Sequence, residues 1–490
     1  MLINELPDKF LERMKNDLHN ADFKAFLSSY ESESSKSLRI NRLKKCGSSV
    51  PPPDLMSLFS LEKVEWCENG YYYDETSQPG KYPLHEAGAY YIQEASAMAP
   101  VCWLDLKKGL RVLDLCAAPG GKSTGIAELI GTEGLLVANE PVLSRTKILS
   151  LNIERMGIMN TLVTGEPPEK LSRVFPGFFD RILVDAPCSG EGMFRKNPEA
   201  VNEWSPENTE LCASRQDLIL KEAAKMLVPG GIMVYSTCTF NKEENEGTIR
   251  RFLDNEEDFS LIDPESIRPL PESFQRTVIS TGDGELNFGV RLYPHKLRGE
   301  GHFFAVLKRK GGVAPDGREI SPGIRQALSG SLIKASSGVR KLFYEFWDSV
   351  RRKGDTDPKK TPVFSELLDS GLMHAFGDQL YLSNKLMPGI TGLKVLRPGL
   401  HLGTLKEKRF EPSHALSLFL DPDEIERRVE LPDKETALKY LKGESLPPGQ
   451  LEINKDKGWC LVCFSGMSLG WGKYDGRMIK NHYPKGLRIH

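Results

Sequence analysis

The chain has 490 residues, 39% hydrophobic, 9% aromatic and 27% charged, a composition that can bury large cores and excludes a disordered polymer. Its length corresponds to roughly three domains at about 100–200 residues each. The net charge of −2, from 65 basic against 67 acidic residues, excludes a global basic field for nucleic acid, although a local patch remains open. The N-terminal MLINELPDKFLERMKNDL lacks the apolar core of a signal peptide, and no stretch approaches the roughly 18 apolar residues of a membrane span. Nine scattered cysteines, an odd number, do not form a disulfide framework, so a reducing cytoplasm and no membrane partner are expected. Cys460 and Cys463, in GWCLVCFSG, read as a strand core rather than as half of a metal site.

In chain order, Phe10, Met14 and Leu18 at helical spacing predict a core-facing helix, and SLRINRLKK a short strand. PPPDL at 51–55 is expected to break regular structure. From about residue 100, apolar strands alternate with amphipathic helices. The order is LRVLDLCA, a helix from about 122, GLLVANE, a helix from about 143, NTLVTGE, DRILVDAP, a helix over about 207–227, VPGGIMVYST, and a helix from Asn241. This pattern predicts a Rossmann-like α/β core with a mixed, mostly parallel sheet. GHFFAVLKRK, over about 301–310, is its expected last strand, and 309–322 reads as a linker. A stripe at Leu342, Phe346 and Val350 predicts a further helix. The tail from Lys457 carries six Lys or Arg against one Asp, with Trp459, Trp471, Tyr474 and Tyr483 interleaved. The resulting segments are 1–99, 100–311, 312–385 and 386–490.

The chemistry concentrates at the predicted strand ends. VLDLCAAPGGKS at 112–123 closes a strand with a Gly-rich turn and opens a helix, which in a doubly wound sheet is the ligand crevice. The turn has neither G-x-x-x-x-G-K-S/T nor G-x-G-x-x-G spacing. Glu140, 26 residues after Asp114, ends the second strand where a carboxylate can meet ribose hydroxyls. These features suit a dinucleotide or S-adenosylmethionine (SAM). Asp185 and Cys188 follow one strand in DAPCSG, and Cys238 follows another in STCT, so both thiols should face the same crevice. With Asn241 as a helix N-cap, the positive helix end would lower the Cys238 thiol pKa.

The set CAAPGGK, DAPCSG and STCT resembles the NSUN-type RNA cytosine-5 methyltransferases, in particular their bacterial RsmF-like branch. The likeness extends to HEAGAYYIQEASAMAP (85–100), GHFFAVLKRK and the GWGKYDGRMIKNHYPKGLR tail, which resembles a PUA-like module. It implies SAM as cofactor, bound by Cys116, Ala117, Ala118, Pro119, Gly120, Gly121, Lys122, Glu140 and Asp185. The family commonly places an Asp after the third strand, and here the matching position offers Glu166. It further implies Cys238 as the nucleophile that adds to carbon 6 of cytosine, Asp185 as the acid that stabilises the ring nitrogen, and Cys188 as the thiol that assists product release. Sequence geometry cannot rank the two cysteines, so that division rests on the resemblance. No metal is implied.

Tyr91, Gln93 and Ser96 match the family segment before the first core strand, and Arg195 and Lys196 are expected to grip the RNA backbone. The expected substrate is small-subunit ribosomal RNA, bound by a monomer. Transfer RNA and a non-catalytic RNA-binding assembly factor are the alternatives, and a DNA methyltransferase is disfavoured by STCT and the tail.

Overall fold

A ten-stranded sheet organises the protein in this computed structural model, which describes residues 3–44, 53–282, 284–311, 334–352, 363–407, 409–448 and 457–489. Its strands are β1 (Arg111–Asp114), β2 (Leu135–Asn139), β3 (Thr161–Thr164), β4 (Phe179–Asp185), β5 (Leu227–Thr237), β6 (Phe259–Leu261), β7 (Gln275–Thr281), β8 (Gly284–Leu292), β9 (His302–Arg309) and β10 (Val395–Pro398). The spatial order is β7-β8-β9-β5-β4-β1-β2-β3-β10, with β6 on the outside of β9. The five central strands, β3-β2-β1-β4-β5, are mutually parallel. Apart from Val228 at the start of β5, their Val, Leu and Ile side chains are buried on both faces, as a helix-covered parallel sheet requires. Each such side chain contributes roughly 1.5–3 kcal/mol.

Helices α1 (Asp8–Asp17) and α2 (Asn20–Glu31) lie in the N-terminal region; in the core, α3 (Gly121–Ile130) follows β1, α4 (Leu143–Arg155) follows β2, α5 (Pro206–Met226) precedes β5 and α6 (Glu246–Asn255) follows it. Because β1 to β5 are parallel, their carboxyl ends line one edge, and the predicted chemistry lies there. Asp185 sits in register with Ser236 across β4 and β5. β9 runs antiparallel to β5, which brings its first residue, His302, to the same edge.

The remaining sheets are smaller. One combines Glu62–Lys63, Gly70–Tyr72, Ser37–Ile40 and Tyr90–Ile92, all antiparallel. Another spans four strands within 372–412, and the last joins Arg428–Leu431 to three strands of the basic tail. Cys460 and Cys463 lie buried in that last sheet, as expected of a strand core. The helix over Ser337–Val350 buries Phe346 and Val350 as its stripe predicted.

Several expectations are corrected. The Pro-rich stretch does not exclude regular structure: a helix spans Pro53–Phe59, and proline is tolerated in a first turn because its missing N–H has no intrahelical partner there. The helix placed at Asn241 begins at Glu246. Asn241 instead closes an Asx turn, its Oδ1 accepting the Glu243 amide at 2.8 Å. Strands β6, β7 and β8 do not follow from the sequence pattern, whereas β10 is one of the short strand-like pieces expected after about residue 380. β10 comes from the 386–490 segment, yet it pairs with β3 at the sheet edge. Residues 312–322 of the expected linker lie outside the described residues.

Candidate active site

The Gly-rich turn after β1 passes through Gly120 at φ +116°, and α3 opens at Gly121. A Cβ on Gly121 would lie 3.2 Å from both Gln93 Cδ and Tyr91 Cε1, so the turn sits directly on the Tyr90–Ile92 strand and the residue after it. Tyr91 is buried and packs under Arg155, whose guanidinium is 5.5 Å from its ring. Gln93 donates to the Ala97 carbonyl at 3.2 Å, and Ser96 hydrogen-bonds Glu94. Tyr91 and Gln93 brace the turn, and Ser96 does not contact it directly.

Lys122 belongs to the turn in sequence, but its ammonium reaches across to Asp185 Oδ2 at 2.7 Å. Ser236 Oγ donates to Asp185 Oδ1 at 2.8 Å, and His302 Nε2 lies 3.7 Å from the same oxygen. Burial raises the Asp185 carboxyl, but the charge of Lys122 and the His302 contact outweigh it and hold the group well below the usual carboxylate range. Asp185 in turn keeps the buried Lys122 ammonium charged. His302 is neutral, lowered by its burial and by Lys122.

Cys188 and Cys238 meet, with 3.4 Å between their sulfurs. The Cys188 thiol is pushed well above its ordinary value, first by its sulfur neighbour Cys238 and then by burial. Cys238 does not sit at a helix end, because α6 starts eight residues later; the expected helix-dipole effect on this thiol is therefore withdrawn. Beneath the pair lies Glu244, fully buried. It accepts from the Ser189 amide at 2.9 Å, from Ser189 Oγ and from Gln216 Nε2 at 3.0 Å, and burial raises it to about 7. Ser189 Oγ also meets Thr239 Oγ1 at 2.9 Å, so the residues after the two cysteines are directly linked.

The crevice at the ends of β1, β2 and β3 is acidic. Asp114 accepts from Ser123 Oγ at 2.6 Å through Oδ2, while its buried Oδ1 has no hydrogen-bond partner among the described residues. Burial raises Asp114 to about 7. Glu140, nearly inaccessible, accepts the Val142 amide at 3.0 Å and pairs with Arg145 at 3.2 Å. Glu166 is 1% exposed. Its Oε1 is held by Lys170 at 2.8 Å and by the Lys394 amide just before β10, whereas Oε2 is buried without a hydrogen-bond partner among the described residues. Burial pushes the Cys116 thiol up as well. Two orphaned carboxylate oxygens in a cluster of buried acids fit a ligand that carries positive charge and hydroxyl donors, as SAM does. Among the described residues no group of His, Cys, Asp or Glu has the arrangement to hold a metal ion.

Arg195 is not available to RNA. Its guanidinium is buried against Glu300 at 3.0 Å and donates to the carbonyls of Ser29 at 2.7 Å and Gly299 at 3.0 Å. Lys196 is partly buried beside it. The sequence did not single out Ser236, Glu244 or His302. Their side chains reach the site only through strand register and the packing of segments distant in sequence.

A parallel-centred sheet with its Gly-rich turn, acidic crevice and paired thiols defines a SAM-dependent methyltransferase. Family models agree: "16S rRNA methyltransferase RsmB/F" matches residues 101–308, the N-terminal domain of 16S rRNA methyltransferase RsmF 6–95, the RsmF first C-terminal domain 359–420 and the RsmF PUA domain 427–489. The chain is 32% identical over 489 residues to "Ribosomal RNA small subunit methyltransferase F" of Vibrio vulnificus (strain YJ016), covering 98% of this chain and 97% of that one. It is 33% identical over 509 residues to the protein of that name from Serratia proteamaculans (strain 568), covering 98% and 96%. A solved methyltransferase homolog from Pyrococcus horikoshii is 29% identical, covers 63% of this chain and 97% of its own, and superposes with a TM-score of 0.52. NSun6 from the same organism, solved with the SAM analogue SFG, shares the fold at 20% identity and a TM-score of 0.53, over 62% of this chain and 99% of its own. The chain belongs to the RsmF family of ribosomal RNA small-subunit methyltransferases. It is accordingly a SAM-dependent RNA methyltransferase that acts on ribosomal RNA.

Proposed function

We propose that the enzyme methylates carbon 5 of a cytosine in small-subunit ribosomal RNA, through a covalent bond between Cys238 and carbon 6. The observation that carries this reading is the 3.4 Å sulfur pair beside an ionised Asp185 at adjacent strand ends. Carbon 5 of cytosine is too weak a nucleophile unaided, and a thiolate added to carbon 6 gives it enamine character. Cys238 takes that role as the residue that matches the family's nucleophile position, while its sulfur, and then burial, raise the Cys188 thiol.

As the Cys238 S–C6 bond forms, the ring nitrogen takes a proton from solvent, and it gives that proton back once carbon 5 has taken the methyl group. Asp185, kept ionised by Lys122, accepts the hydrogen bond from that N–H and opposes its charge, while the Lys122 ammonium, 2.7 Å from Asp185, stands as the adjacent donor. SAM, when bound, supplies the electrophilic methyl group. Asp114, Glu140, Glu166 and the 116–121 turn are the groups that would hold it. Once Cys238 is a thioether, the main cause that raises Cys188 is gone, so the Cys188 thiol can lose its proton to solvent and, as thiolate, take the proton from carbon 5. Loss of that proton restores the C5–C6 double bond and expels Cys238 as thiolate.

In this reading the enzyme works as a monomer, and segments 1–99, 312–385 and 386–490 bring RNA to the core at 100–311. The test is methyl transfer from labelled SAM to small ribosomal subunits, transfer RNA and duplex DNA in parallel, with nucleosides identified by mass. Label in 5-methylcytidine from the ribosomal subunit alone is expected, and label in another nucleoside or only in transfer RNA overturns the reading.

A further inference from the structure

Glu191 lies three residues beyond Cys188 and is completely buried. Its carboxylate gathers donors from three separate segments. Arg13 on α1 grips it with both terminal nitrogens, Nη1 to Oε1 at 2.8 Å and Nη2 to Oε2 at 2.6 Å. Trp204 Nε1 donates to Oε1 at 2.8 Å, and the backbone amide of Phe240, two residues beyond Cys238, donates to Oε2 at 3.1 Å. The next amide, Gly192, donates to the Cys238 carbonyl at 2.8 Å. One buried carboxylate of the Cys188 segment therefore bonds to the Cys238 segment, and its counter-ion comes from a helix 178 residues away in sequence. The surrounding packing follows the same path: Phe10 of α1 meets Phe194 at 5.1 Å between ring centres, and Phe26 of α2 meets Phe240 at 5.3 Å.

We infer that Arg13 is a positioning residue for the thiol pair: through Glu191, the N-terminal helix sets how the Cys188 segment sits against the Cys238 segment. The inference rests on the thiol chemistry proposed above. A bidentate guanidinium fixes direction as well as charge, and a displacement of about 1 Å at reacting groups costs up to roughly 10²-fold in rate. The N-terminal region thereby contributes to turnover as well as to RNA binding.

Removing Arg13 alone would strand a buried carboxylate and risk unfolding. The test therefore uses the full chain with the paired change Arg13→Met and Glu191→Gln, with Arg13→Lys, and with Glu12→Ala as a control on the exposed face of α1. Three quantities are read: the single-turnover transfer rate at saturating small ribosomal subunits, RNA affinity, and closure of the Cys188–Cys238 disulfide by diamide without RNA or SAM. The paired variant should lose about 10- to 100-fold in rate, with RNA affinity within about threefold of wild type, and should close the disulfide several-fold more slowly. Arg13→Lys, which keeps the charge and loses the fork, should fall between, and Glu12→Ala should match wild type. A folded paired variant with wild-type rate and wild-type disulfide closure, or one that loses only RNA affinity, overturns the inference. If the wild-type enzyme makes no 5-methylcytidine, the proposed chemistry fails separately. The disulfide measurement, which needs neither substrate, still decides whether Arg13 positions the thiols.

Discussion

Cys188 and Cys238 stand 50 residues apart in sequence, and their sulfurs lie 3.4 Å apart across the ends of two parallel strands. Cys238 is the largest cause that raises the Cys188 thiol, and the proposed mechanism divides the pair into a nucleophile, Cys238, and a residue that assists release, Cys188.

That division predicts opposite phenotypes. Cys238→Ala should reduce methyl transfer to below about one hundredth of wild type. Cys188→Ala should bind, add and transfer, yet release slowly, leaving a protein–RNA adduct that survives a denaturing gel. An adduct in Cys238→Ala, or none in Cys188→Ala, would reverse the roles.

Lys122 governs the charge state of Asp185. The wild-type carboxyl is depressed, so its stabilising contribution is present above the unfolded-state value of about 3.9 and is lost only as pH falls through the folded value below it. No Asp185 limb should appear in the wild-type pH–rate profile between about pH 5 and 8. In Lys122→Met, burial acts with less opposition and the carboxyl rises. The profile, normalised to its own maximum, should then gain an acidic limb in that window, and an unshifted profile would remove Lys122 from this role.

Glu244 shows the opposite sign. Its folded-state value of about 7 lies above the ordinary glutamate value, so stability falls as pH rises from about 4.3 toward 7 and is flat above. Glu244→Gln can keep the Ser189 and Gln216 bonds, with its amide facing Ser189 Oγ, and avoids the buried charge. Relative to wild type it should gain about 2 kcal/mol between pH 5 and pH 8, read from urea unfolding at the two values. An equal difference at both pH values would contradict the assignment.

Arg195 should behave as a structural residue. Its ion pair with Glu300 is nearly inaccessible, with side-chain exposures of 9% and 2%. Arg195→Ala should destabilise the fold by about 3–5 kcal/mol because Glu300 is left buried without its partner. The slope of RNA affinity against salt should stay unchanged, since no phosphate contact is lost. A slope reduced by about one, with stability intact, would restore Arg195 to the RNA surface.

Local sequence alone determined most of the alternation of strands and helices over residues 111–237, though not the helix at Pro168–Val174, together with the Gly-rich turn and the carboxylates and thiols at strand ends. Apolar periodicity and turn chemistry are properties of neighbouring residues, and in a parallel sheet the carboxyl ends of the strands necessarily share an edge. It also placed Asp185, Cys188 and Cys238 at that edge. Tertiary structure decided the rest. The turn residue Lys122 spends its charge on Asp185, and Arg195, whose charge suggested an RNA contact, is buried against Glu300. Antiparallel strands β7, β8 and β10 extend the sheet, and Arg13 reaches Glu191 across 178 residues of sequence. A residue type states what charge or hydrogen bond a side chain can offer. Which partner receives it depends on burial and on segments far apart in sequence, and for buried charges that choice sets both the pKa and the role.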